Sequence, residues 1–253
     1  MYMTYSFNEK KHIHLLDAQP LYGTSTVIKE VMPPFLAKWG AQCAVDFFRE
    51  NIGEILKFPI ETNKLGLLLD RAVMAWSKVR QDKAEKGTEM HERLEHYILI
   101  CLSENGGNPM AAGKEMDEKI QKFAGWSEQN IKRFIFAEKY TYSKTTWTGG
   151  IVDCLAEMKD GTLAVIDFKS AKEAYFNHFA QVSGYALQLE ENGYGNADGS
   201  DWKSLSGKIG ALIVVPFGAK ILKPVKVENV EGFKDIFRHL VEVYKFLLAF
   251  KNK

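Results

Sequence analysis

Residues 147–169 read WTGGIVDCLAEMKDGTLAVIDFK, and residues 176–189 follow as FNHFAQVSGYALQL. Val152 to Met158 and Thr162 to Lys169 are apolar and β-branched, bounded by Gly and Asp, so they read as two strands joined by a turn. Alternate residues of a strand share a face, which groups Leu163, Val165, Asp167 and Lys169 together, and Asp153 with Ile151 and Leu155. The turn decides whether the two aspartates meet. A two-residue Asp160-Gly161 loop pairs Lys159 with Thr162 and sends the acids to opposite faces. A three-residue Lys159-Asp160-Gly161 loop, with Gly161 in the left-handed region, pairs Met158 with Thr162 and sets Asp153 opposite Asp167. Both fit locally, but only the longer loop gives the acids a common purpose, and it is the one expected.

Opposed carboxylates in an apolar hairpin repel each other and lose hydration. A bound cation removes that cost, and oxygen ligands suit Mg²⁺ or Mn²⁺. Lys169, two residues beyond Asp167 on the same face, can reach a water or phosphate oxygen there. On the helix that follows, Gln181 and Tyr185 stand one turn apart and project together, beside a core stripe of Phe179, Val182, Ala186 and Leu189.

Taken together, Gly-Gly-Ile-Val-Asp153, Val-Ile-Asp167-Phe-Lys169 and Gln181-Val-Ser-Gly-Tyr185 resemble the PD-(D/E)XK nuclease superfamily, specifically its RecB-like branch. Gly87-Thr-Glu-Met-His91-Glu-Arg-Leu-Glu95 looks like that branch's Gly-Thr-x-x-His helix. Thr24-Ser-Thr-Val-Ile and Phe35-Leu-Ala-Lys-Trp39 are similar to the entry segment of the mitochondrial genome maintenance exonucleases and their phage and bacterial relatives. The resemblance covers about Thr24 to Leu189.

It implies an α/β fold with a mixed central sheet flanked by helices, in one nuclease domain over residues 1–253. Residues 1–130 would be a largely helical entry part forming an arch or lid, and 131–253 the catalytic sheet. It also implies a metal-dependent DNA exonuclease acting on single-stranded or free ends in repair, replication or recombination. His91, Asp153, Asp167 and the Phe168 carbonyl would hold one or two Mg²⁺ or Mn²⁺ ions. Lys169, Gln181 and Tyr185 would complete the catalytic set. Glu138 matches an acidic position near the metal, and Glu95 would orient the His91 ring. In the charged interval VRQDKAEKG, Arg80, Lys83 and Lys86 would meet phosphates of a threaded strand, as Ser170 and Lys172 would after the hairpin. Trp39 could stack on a base. A strand-annealing or replication partner fits the same picture. The alternatives are a duplex-processing phage-type recombination exonuclease, a non-catalytic nucleic-acid-binding module and a small-molecule phosphodiesterase.

Composition narrows the rest. A formal charge of +1 excludes a uniformly basic coat, so DNA contact must come from a local patch and be salt-sensitive. Cys43, Cys101 and Cys154 are scattered and odd in number, which suggests a reducing compartment and too few ligands for an iron–sulfur cluster. No h-region or apolar run of membrane length is readable, so a protein of the cytoplasm of a bacterial or phage-infected cell, or of another reducing compartment, and not a secreted or membrane one, is expected.

Elsewhere the pattern predicts short β-structure over Tyr5 to Tyr22 and helices over 25–32 (capped by Ser25 or Thr26), 35–51, 63–101 and 110–124. A strand is expected over 134–143, a turn over 145–150 and a surface loop over 192–206. Strands at 209–216 and 221–227 should form a hairpin, and the C-terminal helix should pack on the sheet.

Overall fold

A computed structural model describes residues 4–33, 37–55 and 62–251. The chain is mixed α/β and divides into two compact units: Met1–Pro33 with His91–Lys253, and Pro34–Met90.

The first unit opens with a small antiparallel sheet of β1 (Tyr5–Asn8), β2 (Ile13–Leu16) and β3 (Gln19–Pro20), then β4 (Tyr22–Gly23) and α1 (Thr24–Val31). The second unit holds α2 (Ala37–Glu50), α3 (Ile52–Ile55) and the N-terminal part of α4 (Thr62–Glu104). The first unit resumes within α4 and continues through α5 (Glu118–Asn130), β5 (Ile131–Ser143), β6 (Thr148–Met158), β7 (Leu163–Lys169), α6 (Phe176–Asn192), β8 (Ile209–Pro216), β9 (Val225–Val227) and α7 (Val230–Lys251).

The main sheet is six-stranded and mixed: β6 pairs antiparallel with β5 and β7, β7 parallel with β8, and β8 antiparallel with β9. β4 joins in parallel at the start of β6, at Thr148 and Gly149, whereas the recorded β7 pairing begins at Cys154. Between them, on that edge of β6, lie Gly150 to Asp153. One sheet face takes the expected α6 stripe: Phe179, Val182, Ala186 and Leu189 are buried against Val165, Leu212 and Val214. Alternation then sends Phe168 to the other face, where it meets Phe123 edge-on, with Phe134 and Tyr97 in the same aromatic cluster.

Several expected boundaries move. Neither Ser25 nor Thr26 caps α1; Gly23 is its N-cap, with no side-chain bond, and Thr24 Oγ1 donates to the Gly149 carbonyl at 3.0 Å. The helix expected at 110–124 starts only at Glu118, because Asp117 accepts the Lys119 N–H at 2.8 Å and sets the cap there. Thr148 to Gly150 belong to β6, not to a turn. Glycines are needed there because a Cβ on Gly149 would sit 2.8 Å from that of His14. The strand expected from Ile221 begins at Val225, just past Pro224, which has no N–H for the ladder. The C-terminal helix packs chiefly on other helices: Phe237, Val241 and Tyr244 meet Val27, Ile28 and Ala180. Gly184 permits this, since a Cβ there would fall 2.7 Å from the Phe237 ring. Of the predicted helix over 35–51, Phe35 lies outside the described residues.

Candidate active site

The site is built from the hairpin upward. Met158 N–H donates to the Thr162 carbonyl at 2.8 Å and Gly161 N–H to the Met158 carbonyl at 2.9 Å, closing the three-residue loop. Gly161 has φ +83°, and Asp160 Oδ1 accepts the Thr162 N–H at 2.8 Å. The resulting pairs run from Glu157–Leu163 to Cys154–Ile166, so the next residues along, Asp153 and Asp167, come opposite each other.

Here side chains take over from the ladder. Asp153 Oδ2 accepts the Phe168 main-chain N–H at 2.8 Å. Lys169 Nζ donates to Asp167 Oδ1 at 2.9 Å and lies 2.8 Å from Oδ2. Oδ2 itself is buried with no hydrogen-bond partner of acceptable angle. Burial, then the Asp167 charge, pushes the Asp153 carboxyl up from its usual range. For Lys169 burial opposes the charge, but Asp167 and Asp153 outweigh it and the net shift is upward.

His91, from α4, brings Nδ1 to 3.6 Å from Asp153 Oδ2, and its ring stands edge-on to Phe168 at 6.1 Å. The Phe168 main chain is within hydrogen-bond reach of that ring. Burial lowers the His91 pKa, which favours the neutral imidazole able to ligate a metal. Asp153, Asp167, Phe168, Lys169 and His91 thus come together in one place.

Gln181 and Tyr185 arrive from α6. Gln181 Nε2 donates to the Tyr185 hydroxyl at 2.6 Å. Burial, then the charges of Asp167 and Asp153, raises the Tyr185 pKa far above its usual value, so the phenol stays protonated. Its ring lies where a Cβ on Gly150 would be only 2.4 Å from Cε1, so Gly150 keeps open the seat that Tyr185 occupies beside β6. The base of α6 is tied down nearby: buried Gln188 Nε2 donates to Thr24 Oγ1 at 2.6 Å and to Thr148 Oγ1 at 2.8 Å.

Glu138 lies between the pairs Ala137–Cys154 and Lys139–Val152, hence opposite Asp153, and has φ 39°, strained for a non-glycine residue. Although its side chain is exposed, desolvation by its neighbours, followed by the charges of Glu95 and Asp153, pushes its carboxyl up to about 7. Glu95 is not found holding the imidazole: among the described residues no hydrogen bond joins it to His91, whose Nδ1 is directed at Asp153. Glu95 instead bears on Glu138.

Ser170 and Lys172 are exposed in the loop after β7. In the second unit Lys83 Nζ stands 5.0 Å from the Trp39 ring centre and Arg80 stands 5.9 Å from that of Trp76. Trp39 is thus paired with a lysine from α4. The Lys86 side chain lies outside the described residues. Cys43, Cys101 and Cys154 are free and buried.

One residue of the site escaped the sequence reading. His178, at the start of α6, accepts the Tyr175 main-chain N–H at Nδ1 at 3.2 Å. Burial, then the Lys169 charge, lowers its pKa to about 4, with Asp167 opposing. The signal was its spacing, i to i+3 and i+7, to Gln181 and Tyr185.

As the side chains stand, no three His, Cys, Asp or Glu among the described residues form a ready-made ligand set. The Asp167 carboxylate is turned onto Lys169 and that of Asp153 onto Phe168 N–H. The chemistry of the donors nonetheless fits a small hard cation: two opposed carboxylates, one with a buried oxygen that makes no hydrogen bond and has the Lys169 ammonium 2.8 Å away, beside a neutral imidazole and a main-chain carbonyl. Among the described residues no helix is long and apolar enough to cross a membrane. Compared with protein-family models and with curated proteins, the chain matches none of them.

Proposed function

We propose that the chain is a Mg²⁺- or Mn²⁺-dependent deoxyribonuclease with a PD-(D/E)XK-type sheet, hydrolysing phosphodiesters at single-stranded or free DNA ends. The observation that carries this is the placement of Asp153 opposite Asp167, with Lys169 on one acid and His91 on the other.

Asp153, Asp167, the Phe168 carbonyl and His91 would hold the metal, with Glu138 near enough to bear on its charge. When bound, the ion supplies a Lewis acid for a phosphoryl oxygen and a lowered pKa for water. The protein's own groups do the rest. Lys169, kept protonated by the two acids, orients the attacking water and stabilises negative charge developing on the phosphate. The Gln181–Tyr185 pair positions the strand by donating to its backbone; a displacement of about an ångström there costs on the order of a hundredfold in rate. In the second unit the cation–aromatic pairs Trp39–Lys83 and Trp76–Arg80 offer stacking and phosphate contacts to single-stranded DNA.

The test is digestion of end-labelled single- and double-stranded DNA with Mg²⁺ or Mn²⁺, comparing free ends, blocked ends and circles. Metal-dependent loss of label from free single-stranded ends is expected. Preference for duplex ends would favour the recombination-exonuclease alternative, and efficient cutting of circles would overturn the end requirement. Binding without any nicking would leave a nucleic-acid-binding module.

A further inference from the structure

We propose that His178 contacts the substrate in this centre, its Nε2–H donating to an oxygen of a phosphate that flanks the scissile one. The inference rests on the nuclease reading and adds to it a residue and a contact point on the strand.

Geometry selects the donor. His178, Gln181 and Tyr185 fall at i, i+3 and i+7 of α6 and so share a face, the one on which Tyr185 meets Gly150 and the two acids. The charges of Lys169 and Asp167 are both felt at the His178 ring, in keeping with that shared face. Nδ1 accepts the Tyr175 N–H at 3.2 Å and therefore carries no hydrogen, so the neutral ring bears its proton on Nε2. Among the described residues Nε2 makes no hydrogen bond, and the side chain is only half-buried.

The chemistry then selects the acceptor. With Nδ1 consumed by the backbone, the ring offers one donor and no acceptor, which suits a phosphate oxygen and not the mixed edge of a base. A second cation here would be repelled by Lys169 and would compete for Asp167. An uncharged N–H does neither, so it can hold a second phosphate while Lys169 serves the reacting one. The motif Gln-x-x-x-Tyr thereby extends to His-x-x-Gln-x-x-x-Tyr as one donor row along the strand.

The test uses the full chain and single-stranded oligonucleotides carrying one uncharged methylphosphonate at successive positions beside the cleaved bond. Single-turnover cleavage by wild type and His178→Ala is compared with Mn²⁺. On the unmodified strand His178→Ala should be slower by roughly tenfold to hundredfold, the worth of one hydrogen bond to a charged acceptor. At one flanking position the methylphosphonate should slow wild type and leave His178→Ala unaffected, so that the two losses do not multiply. A loss that multiplies equally at every position would mean that His178 only caps α6, and would overturn the proposal. If wild type cuts nothing with either metal, the nuclease reading fails. Imidazole ¹⁵N spectra then decide the contact alone: a Nε2 resonance shifted by the oligonucleotide in Ca²⁺ upholds it, and an unmoved one overturns it.

Discussion

The Phe168 main-chain N–H donates to Asp153 Oδ2 at 2.8 Å, a carboxylate standing where the β6–β7 ladder would otherwise supply a carbonyl. This bond fixes one acid, and the Phe168 main chain is also within hydrogen-bond reach of the His91 ring. The strands thus stop pairing where the chemistry begins, which is how a sheet frees backbone groups for a site without orphaning them.

Lys169→Ala should retain DNA binding and lose cleavage by about a hundredfold to a thousandfold, the usual loss when a group stabilising transition-state charge is removed. Gel-shift affinity in Ca²⁺ and cleavage in Mn²⁺ measure the two separately. Wild-type cleavage by this variant would remove Lys169 from the mechanism.

Metal should stabilise the fold. The Lys169 ammonium pairs with Asp167 and, among the described residues, leaves the buried Asp153 carboxyl without a cation of its own beyond His91, and an ion that binds only the folded chain adds about 2–3 kcal/mol at a hundredfold excess over its dissociation constant. Thermal unfolding with Mg²⁺ should show this gain in wild type and little of it in Asp167→Asn. Equal gains in both would mean that the ion binds elsewhere.

Gly150→Ala drives a methyl group into Tyr185, since a Cβ there falls 2.4 Å from Cε1. The expected cost is about 1–3 kcal/mol of stability from overpacking, together with loss of activity as the ring leaves its seat. Gly125→Ala is the control, because a Cβ on Gly125 has nothing within 4 Å. Unchanged unfolding and cleavage in Gly150→Ala would contradict the packing described.

Acid should weaken the N-terminal sheet through His14. Tyr5 Oη and His14 Nδ1 are hydrogen-bonded at 2.6 Å, and burial followed by the His12 charge lowers the His14 pKa from 6.5 to about 4. Above about pH 6.5 the residue is neutral folded or unfolded and adds no pH dependence. Between 6.5 and 4 the unfolded chain takes up the proton and the folded one does not, so stability falls by up to about 3 kcal/mol. The difference between wild type and His14→Gln, followed by urea unfolding from pH 7.5 to 4.5, should narrow over that window. A constant difference would contradict a buried neutral His14.

Asp160-Gly161 marked the hairpin but allowed two loop lengths, and the demand that Asp153 oppose Asp167 selected the three-residue loop in which Gly161 takes φ +83°. The α6 core stripe was equally readable, since an apolar period of three and four has one burial solution against a sheet. Other features had no local signal. The late start of α5 depends on Asp117 competing with an equally plausible upstream start. The short β4 strand exists only through its pairing with Thr148 and Gly149. The strained φ of Glu138 belongs to a strand that reads as regular. His178 looked like an ordinary first-turn residue until its backbone bond showed which nitrogen was free.

The most direct test follows release of label from a single-stranded oligonucleotide by wild type and Asp167→Asn across a Mn²⁺ titration. Wild type should be silent in chelator and rise to a plateau with metal, while Asp167→Asn stays flat over the same range. Cleavage that persists in chelator, or that is unchanged by Asp167→Asn, would contradict a metal centre on the opposed aspartates.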